Sequence, residues 1–179
     1  GTYSVTAPGA VTQSGALAIT GATTISASGY NVTLNEATNN FVGAVGITGA
    51  VVSVRDAGAI ALGASTVSGT YSVTAGGAIT NSGALAIASA AATFAATSSY
   101  DITLNNASNN FATVIITSGN NVTLVDAGAI ALGASTVSGT YSVTAPGAVT
   151  QSGALAITGA TTISASGYNV TLNEATNNF

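Results

Sequence analysis

Any acid–base or metal chemistry in this chain must be built from six charged side chains among 179 residues: Arg55, Glu36, Asp56, Asp101, Asp126 and Glu174. Two carboxyls held about 5–10 Å apart can hydrolyse a glycoside, and Glu36 with Asp56 is the nearest pair in the first part of the chain. Asp56 has a counterpart seventy residues on in Asp126, whereas Glu36 is matched there by Asn106. A lyase wants Lys or Arg to take a proton or steady an enolate. Arg55 stands alone, and its counterpart is Val125. There is no His to act as a base near neutral pH. These residues predict no enzyme and no catalytic or cofactor-binding side chains. Calcium requires six to eight oxygens including several carboxylates, so Asp56 and Asp126 with neighbouring carbonyls are weak calcium candidates. The competing reading makes each a corner residue whose carboxylate accepts from nearby N–H groups. Without Cys there is neither a disulfide nor a thiolate metal site.

The elements that must position these residues follow from an internal duplication. DAGAIALGASTVSGTYSVTA stands at 56–75 and again, unchanged, at 126–145. Around it the chain divides into units 1–68, 69–138 and 139–179, the third incomplete. Residues 1–41 and 139–179 are identical, which makes 138 residues the longer period. Neither end carries the polar, atypical sequence that caps a solenoid, so the expectation is a window on a longer array. The second unit holds two extra residues between Ile87 and Tyr100, and such insertions belong at a corner or bulge.

Within a unit the apolar pattern has period two. TYSVTA, AVTQ, ALAIT, TTISA, NVTL, FVGAVGIT, AVVSVR, AIAL and STVS read as nine strands punctuated by Gly, Asn, Pro and Ser. Nine strands make three turns of three, with about 23 residues and a rise of about 4.8 Å per turn. The expected fold is all-β, a parallel β-helix of about three triangular turns per 68–70-residue unit, with residues 1–179 as one continuous solenoid. Val5, Ile19, Ile25, Val32, Leu34, Val52, Val54, Ile60 and Leu62 are the expected inward residues. The Asn pairs at 39–40, 109–110 and 177–178 are expected at corners.

Composition narrows the partners. With charged residues at 3% and hydrophobic residues at 47%, the exterior is hydrated by hydroxyls and amides. A net charge of −4 with one basic residue leaves no patch for nucleic acid or an anionic membrane surface. No apolar run reaches the ~18–20 residues of a membrane span. Ice binding would need T-x-T ranks on successive turns, and TYSVTA, TTISA and VVSV do not align one. The sequons at Asn31, Asn106, Asn121 and Asn169 read as turn and strand residues, and the six Tyr as half-buried corner packing.

GAVTQSGAL (9–17), NNFVGAV (39–45) and DAGAIALGASTVSG (56–69) resemble the repeat phrases of giant bacterial exoproteins related to filamentous haemagglutinin. The second unit departs from the pattern at NNFATVIIT (109–117). The resemblance covers all 179 residues. It implies a right-handed parallel β-helix on a secreted or cell-surface protein. The resulting expectation is a structural segment of an extracellular fibre, adhesin stalk or biofilm-matrix filament, self-associating with neighbouring repeats. The alternative is a module that binds glycans or cell surfaces through one face.

Overall fold

The structure, a computed structural model, describes residues 1–179, which form strands and turns with no helix. All nine expected strands of the first unit are present, but FVGAVGIT divides in two, so the unit holds ten. They are β1 (Tyr3–Thr6), β2 (Val11–Thr12), β3 (Ala18–Ile19), β4 (Thr23–Ser26), β5 (Val32–Leu34), β6 (Asn40–Phe41), β7 (Val45–Gly49), β8 (Val52–Asp56), β9 (Ile60–Leu62) and β10 (Ser65–Val67). The division falls at Gly43, which lies so close over Gly21 that an added Cβ would come within 2.4 Å of the Gly21 carbonyl. One glycine thus turns an expected strand into two strands and a corner.

Strand pairing is parallel throughout, and most strands inside the array are bonded to the turns both before and after them. A single ladder runs Val11–Val32–Val52–Tyr71–Ala92–Val114–Leu132–Gln151. Its steps span 18–22 residues, shorter than the expected 23, and the whole is a β-solenoid of about 8 turns. The ladder also fixes how the units relate. Three steps carry Val11 to Tyr71, and Ile79, the counterpart of Val11, lies partway toward the next rung, Ala92. Seven steps reach Gln151, two residues beyond Val149, the counterpart in the third unit. A unit therefore makes roughly three and a half turns instead of three. Consecutive units face opposite sides of the solenoid, and the 138-residue period closes on seven turns.

Why this sequence folds so is plain in the burial pattern. In β5, β7, β8 and β9 the buried residues alternate with partly or fully exposed ones, Val32 and Leu34 pointing in and Thr33 out. The expected inward residues all lie in or against one core. Ile25, Val32, Leu34, Val52, Val54, Ile60 and Leu62 are buried, and Val5 and Ile19 pack against them from the first turn. Each fully buried aliphatic side chain contributes about 1.5–3 kcal/mol, enough for a narrow prism only when many turns cooperate. In the second unit Tyr71, Phe94 and Phe111 form an edge-to-face series in the core, with centroids 6.1 Å apart at both contacts.

The extra residues lie where expected. The strand Leu85–Ala95 pairs Ile87 with Phe111 and then Ala91 with Thr113, a register shift that leaves residues between Ile87 and Ala91 outside the ladder. At Ala27–Tyr30 the turn is tight, Tyr30 N donating to Ala27 O at 2.9 Å, with Gly29 at φ 79° in the third position. That positive φ is the requirement of a type II turn, which glycine meets without strain.

The closest backbone approach supplies a test. A Cβ on Gly76 would lie 2.1 Å from the Ala57 carbonyl oxygen, whereas a Cβ on Gly15 meets nothing within 4 Å. Gly76→Ala should cost about 1–3 kcal/mol in guanidinium unfolding, and Gly15→Ala should stay within about 0.5 kcal/mol of the parent. Equal effects would show that the turns are not stacked in this register.

Candidate functional site

Asp56 and Asp126, the weak calcium candidates, point inward, each 2% exposed. Asp56 Oδ2 accepts from Phe41 N at 2.6 Å and Oδ1 from Gly58 N at 2.7 Å. Asp126 repeats the arrangement with Phe111 N at 2.7 Å and Gly128 N at 2.8 Å. Both oxygens are occupied by backbone donors, the geometry of a corner cap and not of a cation ligand. Burial raises the pKa of Asp126 above its ordinary 3.8, while the bonds from Phe111 and Gly128 pull it back down. Glu36 is exposed on the surface, so it and the inward Asp56 do not form an acid–base pair across a groove.

The Asn of each NNF phrase is the centre of a second corner. Asn39 is fully buried, its Oδ1 accepting from Leu17 N and Gln13 Nε2 at 2.8 Å each. Its Nδ2 donates to Gln13 Oε1 at 2.9 Å and to Leu34 O at 3.1 Å. Asn109 bonds Leu85 N, Asn81 Nδ2, Leu104 O and Val125 O, and Asn177 repeats the pairing with Gln151 and Leu155 N. The phrases TQSGAL and NNF are therefore two halves of one corner on adjacent turns. The sequence carried a signal for this, an amide at 13, 81 and 151 wherever Asn stands at 39, 109 and 177.

Two further inward groups have no sequence-level forecast. Ser65 Oγ accepts from Ile47 N at 3.0 Å and donates to Gly63 O at 3.1 Å. Ser135 does the same for Ile116 N and Gly133 O. Tyr71 and Tyr141 are fully buried, so the expectation of half-buried corner packing fails for them. Each phenol lies beside one of these serines, whose bonds are already engaged, and is left without a partner of good geometry. Burial pushes both phenols well above their usual pKa.

On the outside, Tyr30, Tyr100 and Tyr168 are exposed to 47%, 47% and 61%. They do not form a rank. Tyr30 and Tyr168 lie on one edge nearly seven turns apart, and the half-turn offset puts Tyr100 on the opposite edge. Files of outward, mostly hydroxyl residues do align over successive turns: one is Thr12–Thr33–Ser53–Ser72–Thr93, and another is Ala61–Thr80–Thr103–Thr123–Ser142–Thr162. In the second file the flanking positions vary, with Asn121 and Val125 beside Thr123 and Ala160 and Ser164 beside Thr162, so it builds no T-x-T rank. Arg55, exposed, borders a shallow groove of about 320 Å³ floored by Ala57, Gly76 and Ala96 and edged by Thr74, Thr97 and Ser118. The sequon residues serve turns. Asn31 Oδ1 accepts from Val51 N at 3.3 Å, and Asn106 Oδ1 from Ser108 N at 2.9 Å.

Two measurements check this account. Asn109→Leu strands the Leu85 N–H and the Leu104 and Val125 carbonyls in the interior and should destabilise by about 2–4 kcal/mol in denaturant unfolding. Leaving the midpoint unmoved would show that the corner is not formed. The pH test uses Asp126. Its folded pKa is raised, so its contribution is fully present below its ordinary 3.8 and is lost as pH rises through the folded value. The stability difference between the parent and Asp126→Asn should thus shift toward the parent on going from about pH 7 to about pH 4. A shift the other way overturns the assignment.

Comparison with known proteins adds one family and nothing further. No curated protein and no solved structure matches the chain. The family described as repeats of unknown function (DUF5649) matches three times in succession, over residues 1–48, 48–118 and 119–179. Its second and third matches start 21 residues before Gly69 and 20 before Gly139, about one solenoid turn away, as befits an array in which any turn can start the unit. With the whole length so matched, the chain belongs to the DUF5649 repeat family.

Proposed function

We propose that this chain is a structural segment of an extracellular bacterial fibre, adhesin stalk or biofilm-matrix filament, whose task is to supply length and rigidity. The observation that carries this reading is the use made of the polar side chains. The inward-facing Asp56, Asp126, Asn39 and Asn109 are consumed in satisfying backbone groups at corners. The ladder from Val11 to Gln151 then runs through every turn, with register shifts where Leu85–Ala95 pairs with the next turn. Secretion and a cell-surface location rest on the resemblance of GAVTQSGAL, NNFVGAV and DAGAIALGASTVSG to haemagglutinin-related repeats. The near absence of ions suits such a setting, because few contacts respond to salt, and trypsin-like proteases find only Arg55. The partners of this reading are neighbouring repeats and further copies of the same chain.

The test is length. Arrays carrying one, two and four 138-residue periods should form rods that lengthen by about 34 Å per period, seven turns at about 4.8 Å. Small-angle scattering or electron microscopy reads this directly. Increments that shrink, or a chain of jointed beads, would sink the stalk reading. A second reading, recognition of glycans through one edge, is favoured by one surface cluster described next.

A further inference from the structure

We infer that the corner formed by Tyr100, Asp101, Asn120, Asn121 and Thr140 is a binding site for a neutral saccharide. This rests on the glycan-binding alternative and is independent of the stalk reading. Three consecutive turns contribute to it. Asp101 Oδ1 accepts from Asn120 Nδ2 at 3.0 Å, Asn121 N at 3.0 Å and Asn121 Nδ2 at 3.1 Å. Asn121 Oδ1 in turn accepts from Thr140 N and Thr140 Oγ1 at 3.0 Å each. Gly139 leaves the room for this, since a Cβ there would lie 2.5 Å from Asn121 Oδ1 and 2.7 Å from Asn120 Oδ1. The network lies on the surface, and unlike the buried corners it closes no core position.

The first unit supplies the contrast. There the same corner holds Tyr30, Asn31, Ala50 and Val51, with a single bond from Val51 N to Asn31 Oδ1 at 3.3 Å. The fold tolerates that simpler corner, so turn formation alone does not require the carboxylate and the two amides. They occur together in the second unit, beside an exposed ring. Asp101 Oδ2 and Asn120 Oδ1 are left to accept from ligand hydroxyls, and the Thr123 hydroxyl, two residues on from Asn121, can donate or accept. The Tyr100 ring, 47% exposed, offers an apolar face to the C–H side of a sugar ring. The polar groups are already held in place by one another, so little side-chain freedom is lost on binding. One carboxylate, with one oxygen already accepting three bonds, gives too few ligands for calcium. With no Lys or Arg nearby and a net charge of −4, an anionic sugar is disfavoured.

Calorimetric titration of the full chain with cellohexaose, chitohexaose, mannohexaose and xylohexaose tests the site. At least one should bind with a Kd of about 0.1–1 mM. Tyr100→Ala and Asp101→Asn should each weaken it at least about tenfold, and Tyr30→Ala should leave it unchanged. Unchanged β-sheet dichroism and melting temperature would confirm that the variants remain folded. No binding by any of the four sugars overturns the proposal, as does binding that survives Tyr100→Ala or falls equally with Tyr30→Ala. None of these failures touches the rod-length measurement, so the two readings fail separately.

Discussion

The interaction on which everything else depends is the backbone hydrogen bond between one turn and the next. It runs along the solenoid axis, so each turn completes its neighbours. A strand such as β2, two residues long, would not persist by itself. Bonded to β5 on the next turn, it becomes the first rung of a ladder seven steps long. The ladder fixes which residues lie over which, and that register decides the remaining chemistry. Inward positions must be filled by side chains that tolerate stacking at about 4.8 Å, which selects Val, Ile, Leu and an occasional ring. Outward positions are free, and this chain fills them with Thr, Ser, Asn and Ala.

Corners are where such a design runs into difficulty. Each bend takes N–H and C=O groups off the ladder, and a buried group left unpaired costs about 1–3 kcal/mol. Two side-chain devices meet this need. Asp56 and Asp126 bind a neighbouring-turn amide through one oxygen and their own i+2 amide through the other. Asn39 and Asn109 use both ends of the amide, accepting from one turn and donating to a carbonyl of another. A carboxylate can only accept and a primary amide can do both, which accounts for which residue stands at which corner. The cost of the first device shows in Asp126, whose desolvation outweighs the bonds it receives.

Much of the fold was legible because period-two alternation with small punctuating residues has few other solutions. TYSVTA and NVTL became strands facing the expected way, and the bulge after Ile87 lay where the two extra residues placed it. The turn number was less accessible. FVGAVGIT looks like one alternating run, and only the approach of Gly43 to Gly21 shows that a corner interrupts it. The corner at Asp101 was hidden for another reason. Its partners, Asn120 and Asn121, lie one turn away, and a turn length that varies between 18 and 22 residues prevents such neighbours being paired by counting. Ser65 was missed because a serine in a Thr/Ser-rich strand looks like any outward hydroxyl, yet this one points in.

The half-turn relation between units ties these strands of argument together. Were a unit three whole turns, every Tyr of the GY and SY phrases would fall on one edge, and the array would carry an aromatic rank along its length. Because a unit makes roughly three and a half turns, Tyr100 and its amide-rich corner fall opposite Tyr30 and the plainer corner of Asn31 and Val51. The two edges experience different surroundings and are free to diverge. Two unit types that alternate in sequence then become two sides in space. The identity of residues 1–41 with 139–179 has its counterpart in the seven-turn closure, after which the same side comes round again. A repeat that looked like one motif copied is, as a solid object, a two-sided rod whose smallest true period is a pair of units.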